Sequence, residues 1–187
     1  MVWPFLYYAG ERMSVAELSA ARLDGDVVEL GDAFMPADAV ETRELRAGSL
    51  RDLVGADLAL THESAAWVHD ALAAPPAIHR VQRTAGGRLT RTVDPRLRYR
   101  DVTLPAEDVV RVSGVLVTTL ARTVADLVRE AIAVGGAQWD LVHAVLASRP
   151  GLASAAAAHL ALSGAVHHKR PALAFLRERA AQDDVTR

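Results

Sequence analysis

Ser113-Gly-Val-Leu-Val-Thr-Thr-Leu-Ala-Arg-Thr-Val-Ala-Asp-Leu127 decides how this chain folds, because it reads as a buried strand feeding straight into an amphipathic helix. Val115 and Val117 share one strand face, Gly114 permits a turn, and Thr118 or Thr119 can accept from the first free amides of the helix. The helix therefore starts near Leu120. Leu120, Val124, Leu127, Val128 and Ala131 recur along it at three- and four-residue steps and mark its core face. Arg122 and Asp126 stand four apart, an ion pair with a structural role that contributes about 0.3 kcal/mol if exposed.

Upstream, Ile78 to Val117 has strand character, with Gly86-Gly87 as a turn and Pro95 and Pro105 as boundaries. Within Arg96-Leu97-Arg98-Tyr99-Arg100, alternation puts three arginines on one face and Leu97 and Tyr99 on the other. The outer two arginines are then roughly 13 Å apart, a row that can track phosphates because guanidinium groups fork onto their oxygens. Arg80, Arg83, Arg88 and Arg91 extend the patch. The competing reading is a solvated face that pairs with the acidic N-terminal third.

That competition follows from the distribution of charge. The net charge of -2 hides a segregation: residues 1–60 hold five Arg against eleven Asp or Glu, whereas residues 80–100 hold seven Arg against Asp94 alone. At 187 residues and 51% hydrophobic, the chain can bury one good core or two small ones. It contains no cysteine, which excludes disulfides, thiolate metal sites and a cysteine nucleophile, and fits a reducing cytoplasm. The apolar start, Val2 to Ala9, has no basic leader and is too short for a signal peptide or a membrane span.

Nearer the N-terminus, Ser14 and Glu17 form a capping box for a helix running to Leu23, which Asp24-Gly25 ends. Val27 to Leu30 and Ala33 to Met35 flank Gly31-Asp32 as a hairpin whose turn needs positive φ. Helix then hairpin reads as a shortened winged-helix-like unit, but an acidic one: Arg22 is the only base between Met13 and Met35. Acidic surfaces repel phosphates, so groove binding here is lost. Glu41 to Leu53 reads as helical, and a further helix is capped by Thr61 and stopped by Pro75-Pro76. His62 and His69 can share its face, yet without a third ligand they mark no metal site, and Ala66 stands where a His-Glu-x-x-His motif needs histidine. Beyond Gly135-Gly136 the chain is helical over Trp139 to Ala147, Leu152 to Leu162 and Pro171 to Ala181, with His167 to Arg170 as a basic linker and a frayed tail.

Two motifs, His62-x-Ser64-Ala65-Ala66 and Thr118-x-x-x-Arg122-Thr123-x-x-Asp126-Leu127, resemble those of the AbiEi antitoxin family of bacterial regulators. The likeness runs roughly from residue 27 to 162. It implies an α+β fold with a shortened winged-helix-like unit over residues 1–58, a small central sheet with packed helices over 59–135, and a helical extension over 136–187. Longer relatives add a restriction-endonuclease-like domain for which this chain has no room. No catalytic set, phosphate loop or cofactor motif replaces it, so the chain reads as non-enzymatic.

Two function classes follow. In the first, the resemblance implies an antitoxin and transcriptional regulator paired with a nucleotidyltransferase-type toxin, and it contacts the DNA backbone through Arg80, Arg83, Arg88, Arg91, Arg96, Arg98 and Arg100. In the alternative, the chain is a toxin-neutralising or adaptor module that has lost DNA binding.

Overall fold

A computed structural model describes residues 5–84 and 94–185. The run from Ser113 to Leu127 folds as strand β7 (Val115–Thr118) followed by helix α5 (Leu120–Val134). Thr119 is the cap, its hydroxyl accepting from the Arg122 amide at 3.3 Å. Before these come helix α1 (Val15–Asp24), hairpin strands β1 (Val27–Leu30) and β2 (Ala33–Pro36), helices α2 (Arg43–Ser49) and α3 (Arg51–Val54), strand β3 (Leu58–Leu60), helix α4 (His62–Val68), and strands β4 (His79–Thr84), β5 (Leu97–Leu104) and β6 (Val109–Val112). After α5 come α6 (Ala137–Ala147), α7 (Leu152–Leu162) and α8 (Lys169–Val185).

The mixed α+β architecture centres on a five-stranded sheet of order β5-β4-β3-β7-β6. β3 runs antiparallel to β4 and parallel to β7, β4 and β5 are parallel, and β6 and β7 form an antiparallel pair. One sheet face is apolar: Leu60, Val81, Leu97, Tyr99, Val115 and Val117 join a core with Trp67, Leu50 and Leu45. The hairpin packs into the same core through Leu30, Ala33 and Met35. A second core lies within the α5–α8 bundle, where Val124, Leu127 and Val128 meet Val142, Ala153, Ala156, Leu160 and Leu176. Alanines on α7 permit this close approach at little cost in side-chain entropy.

Helix α4 joins the two cores, with Ala65 in the first and Ala66 in the second. It ends at Val68, well before Pro75-Pro76, because Asp70 takes left-handed geometry at φ 61° and the Ala71 amide turns back to the Ala66 carbonyl at 2.9 Å. The helix expected over Glu41 to Leu53 is two helices, since Leu50 leaves helical geometry at φ -99° and ψ 4°. At the far end, Lys169 is part of α8 rather than of a linker. Its ammonium donates to the Ala161 carbonyl at 3.1 Å and to that of Ser163, satisfying the C-terminal end of α7.

The capping box of α1 is formed, with Ser14 and Glu17 exchanging hydrogen bonds of 2.7 and 3.2 Å. In the hairpin turn only Gly31 takes positive φ, 55°; Asp32 does not. A Cβ on Gly31 would sit 2.4 Å from Ser49 Oγ, whereas Gly25, at φ 84°, faces open space. Gly25→Ala therefore loses only the left-handed backbone penalty of about 1 kcal/mol, while Gly31→Ala adds a clash and loses about 2 kcal/mol or more. Equal losses on urea denaturation would contradict this packing of the turn.

Candidate functional site

Strand alternation and register bring the polar residues of β4 and β5 together. Arg80 lies beside Arg98 and Gln82 beside Arg100, all on the sheet face opposite Val81 and Tyr99. The first residue of α4, His62, and the polar flank of α5, with Asp126, Arg129 and Glu130, line the same space. The result is a cleft of adjoining cavities of about 180 to 230 Å³ that share His62, Arg80, Arg98, Arg100 and Glu130 among their walls.

Each cation of the expected patch has its own fate. Arg80 is half-buried and bound on both guanidinium nitrogens by Glu130, one contact at 2.6 Å, with Glu63 at 3.4 Å. Arg96 lies ahead of β5 and meets Asp94 at 3.0 Å and, from the hairpin turn, Asp32 at 2.5 Å. Arg83, beside an irregularity in the β4 pairing, holds Asp101 at 3.1 Å. Arg98 and Arg100 are exposed, and neither pairs with a carboxylate among the described residues. Arg88 and Arg91, with the Gly86-Gly87 turn, lie outside the described residues.

The electrostatics follow from these contacts. Burial works against the Arg80 charge, but its bonds to Glu130 and Glu63 raise its pKa above the ordinary arginine value. Burial likewise favours a neutral Glu130, and Arg80 overrides it, holding the carboxyl below the usual range. Asp94 is drawn down to about 2 by its hydrogen bonds from Arg96. His62 is held neutral by burial, against the pull of Asp126 and Glu130, with its Nε2 4.0 Å from Glu130. Its φ of 52° is strained for a non-glycine residue, and its Nδ1 lies 3.0 Å from the Thr61 hydroxyl. That hydroxyl consequently caps no amide of α4.

Beside the cleft, the Thr118 to Leu127 motif forms a structural joint that sequence spacing alone understated. Arg122 and Asp126 pair at 2.6 Å but are largely buried rather than exposed, and Asp108 and Arg129 extend them into a network. The Thr118 hydroxyl lies 2.8 Å from that of Thr123 and donates to the Leu60 carbonyl at 3.3 Å, while the Thr118 carbonyl lies 2.7 Å from His69 Nε2. Ser64 of the other motif accepts from the Arg80 amide at 3.0 Å and lies 3.2 Å from His79 Nδ1.

Asp108 and Gln82 were not singled out in the sequence. Asp108 has no periodicity signal, because a 3-10 turn after Pro105 delivers it. Gln82, in register with Arg100 and only 3% exposed, leaves its Oε1 without a hydrogen bond among the described residues. An inward-pointing amide within the alternation of β4 was the one available signal.

Two consequences are measurable. Glu130→Gln strips Arg80 of its main counter-charge beside Arg98 and destabilises the fold by about 2 kcal/mol at neutral pH. Loss of less than about 0.5 kcal/mol on chemical denaturation would place the pair among inert surface contacts. His62, His69 and His79 are all lowered by burial, so near the ordinary value of about 6.5 the unfolded chain binds protons that the folded chain refuses. Stability therefore falls as pH drops from about 7 to about 5, before most carboxylates titrate. A flat urea midpoint across that window would show the imidazoles to be protonated in the fold.

A family model described as the AbiEi antitoxin C-terminal domain matches residues 58–180, from β3 into α8. Comparison with curated proteins found no match.

Proposed function

This chain belongs to the AbiEi antitoxin C-terminal domain family, and we propose that it exerts its antitoxin-type function without catalysis, by binding a protein partner, a nucleotidyltransferase-type toxin. The observation that carries this reading is that three of the five described arginines of the basic stretch are neutralised from within. Arg80 is committed to Glu130 and Glu63, Arg96 to Asp94 and Asp32, and Arg83 to Asp101. Guanidinium groups already forked onto carboxylates have little left for phosphates, because displacing a bound counter-charge costs what the phosphate contact returns. The hairpin supports the same view. Its inward residues are part of the core, its turn is tied to Arg96, and acidic Glu29 and Asp32 stand where a DNA-contacting wing needs bases.

A second reading, DNA binding by a transcriptional regulator, is favoured by one specific feature: Arg98 and Arg100, exposed on edge strand β5 with no carboxylate partner among the described residues. Two phosphate contacts give weak, salt-sensitive binding with little base selectivity.

Co-expression with the toxin separates the two. The protein-contact reading expects a stoichiometric complex that survives gel filtration at physiological salt, and no shift of upstream duplex DNA under those conditions. Absence of any complex, together with a DNA shift abolished in Arg98→Ala/Arg100→Ala, would replace it with the DNA reading.

A further inference from the structure

Two features of the cleft remain unused by either reading. The first is a surplus of positive charge. Arg80, Arg98, Gln82 and Arg100 form a two-by-two array on one sheet face, with neighbours across strands about 4.8 Å apart and along a strand about 7 Å. Like charges set side by side on a sheet repel, and among the described residues only Arg80 is ion-paired directly to carboxylates, Glu130 reaching Arg100 at longer range. Arg98 and Arg100 face the cavity with their donors unclaimed by carboxylates of the described residues.

The second feature is independent of charge. Gln82 lines the same cavity, is 3% exposed, and has no hydrogen bond to its Oε1 among the described residues. Leaving a buried amide oxygen unpaired costs about 1–3 kcal/mol, so its retention beside two cations points to a donor supplied from outside. An apolar residue of similar volume would fill this position at lower cost. The cavity is about 180 Å³, smaller than the roughly 300 Å³ at which pockets for drug-sized ligands begin. It therefore suits a compact molecule that is anionic at one end and a hydrogen-bond donor at the other.

We propose that this cavity binds a small phosphate ester of sugar-phosphate size, its phosphate held by Arg98 and Arg100 and a hydroxyl of its organic part donating to Gln82 Oε1 as the amide turns toward the cavity. Phosphate suits the pair better than a carboxylate, since its oxygens point in several directions and can be forked by two guanidinium groups at once. Glu130 and Asp126 do not oppose it, because Arg80, Arg122 and Arg129 already compensate them. His62 and Thr61 complete the wall beside the arginines. Occupation relieves the repulsion between Arg98 and Arg100 and satisfies the orphan amide, so the ligand stabilises the fold as well as the site.

The test uses the full chain, with ribose 5-phosphate, inorganic phosphate and duplex DNA as probes in calorimetry and thermal denaturation. Ribose 5-phosphate is expected to bind saturably and raise Tm. Arg98→Ala/Arg100→Ala, both exposed and tolerant of replacement, weakens both phosphate probes by about tenfold or more. Gln82→Met removes the amide at similar volume: ribose 5-phosphate weakens by about fivefold while inorganic phosphate stays within about twofold, and the ligand-free protein is no less stable than the parent. Failure of the parent protein to bind either phosphate probe at millimolar concentration, or equal binding by the double arginine variant, overturns the site. So does duplex DNA that engages Arg98 and Arg100 and is not displaced by ribose 5-phosphate. Toxin binding is read separately and does not enter these outcomes.

Discussion

A seven-residue helix with almost no solvent face sets the terms for the rest of this structure. Ser64 to Val68 are wholly buried in α4, with Ala65 turned to one core and Ala66 to the other. Polar groups that cannot reach water favour partners inside, and on and around this helix most have one, Trp67 Nε1 being an exception. Ser64 therefore takes the backbone of β4, His69 lies against the end of β7, and Arg46 spans from α2 to the carbonyls of Trp67 and Leu72 at 2.7 and 2.9 Å. The small side chains let a sheet and a helical bundle close on the same short helix. Pinning the Arg80 amide on Ser64 also fixes where β4 runs, and with it the face that Arg80 and Gln82 present to α5.

The charge pattern is rebuilt by that closure. Along the chain, acids and bases are segregated; in the fold, carboxylates from α4, α5 and the β1–β2 turn meet the basic stretch of β4 and β5. Pairs such as Arg80 with Glu130 and Arg96 with Asp32 join residues 50 and 64 positions apart. A segment that looks like an open cationic row is thereby reduced, among the described residues, to two exposed arginines beside an orphan amide. For an antitoxin this shifts attention from long polyanions to a protein surface and a compact ligand.

The two family motifs serve architecture more than chemistry. Thr118, Thr123, Arg122 and Asp126 fasten α5 to the sheet through hydroxyl and guanidinium bonds, while Leu127 fills the bundle core. His62 is the exception, since it is strained, neutral and on the cleft wall. A joint of this kind holds the cleft wall rigid, which lowers the entropy lost by any group that is ordered there.

What the residues themselves determined is local. Ser14 and Glu17 specified the first cap, Gly31 the hairpin turn, and the spacing of Val124, Leu127, Val128 and Ala131 the buried stripe of α5, because periodicity and capping act over a few residues. Alternation likewise placed Arg98 and Arg100 on one face and Leu97 and Tyr99 on the other. Only the tertiary structure decided which arginines keep their charge available. Ion pairing depends on which distant carboxylate the topology brings within a few ångströms, and no local pattern encodes that Glu130 reaches Arg80, that Asp108 reaches Arg122, or that no described residue reaches Gln82 Oε1.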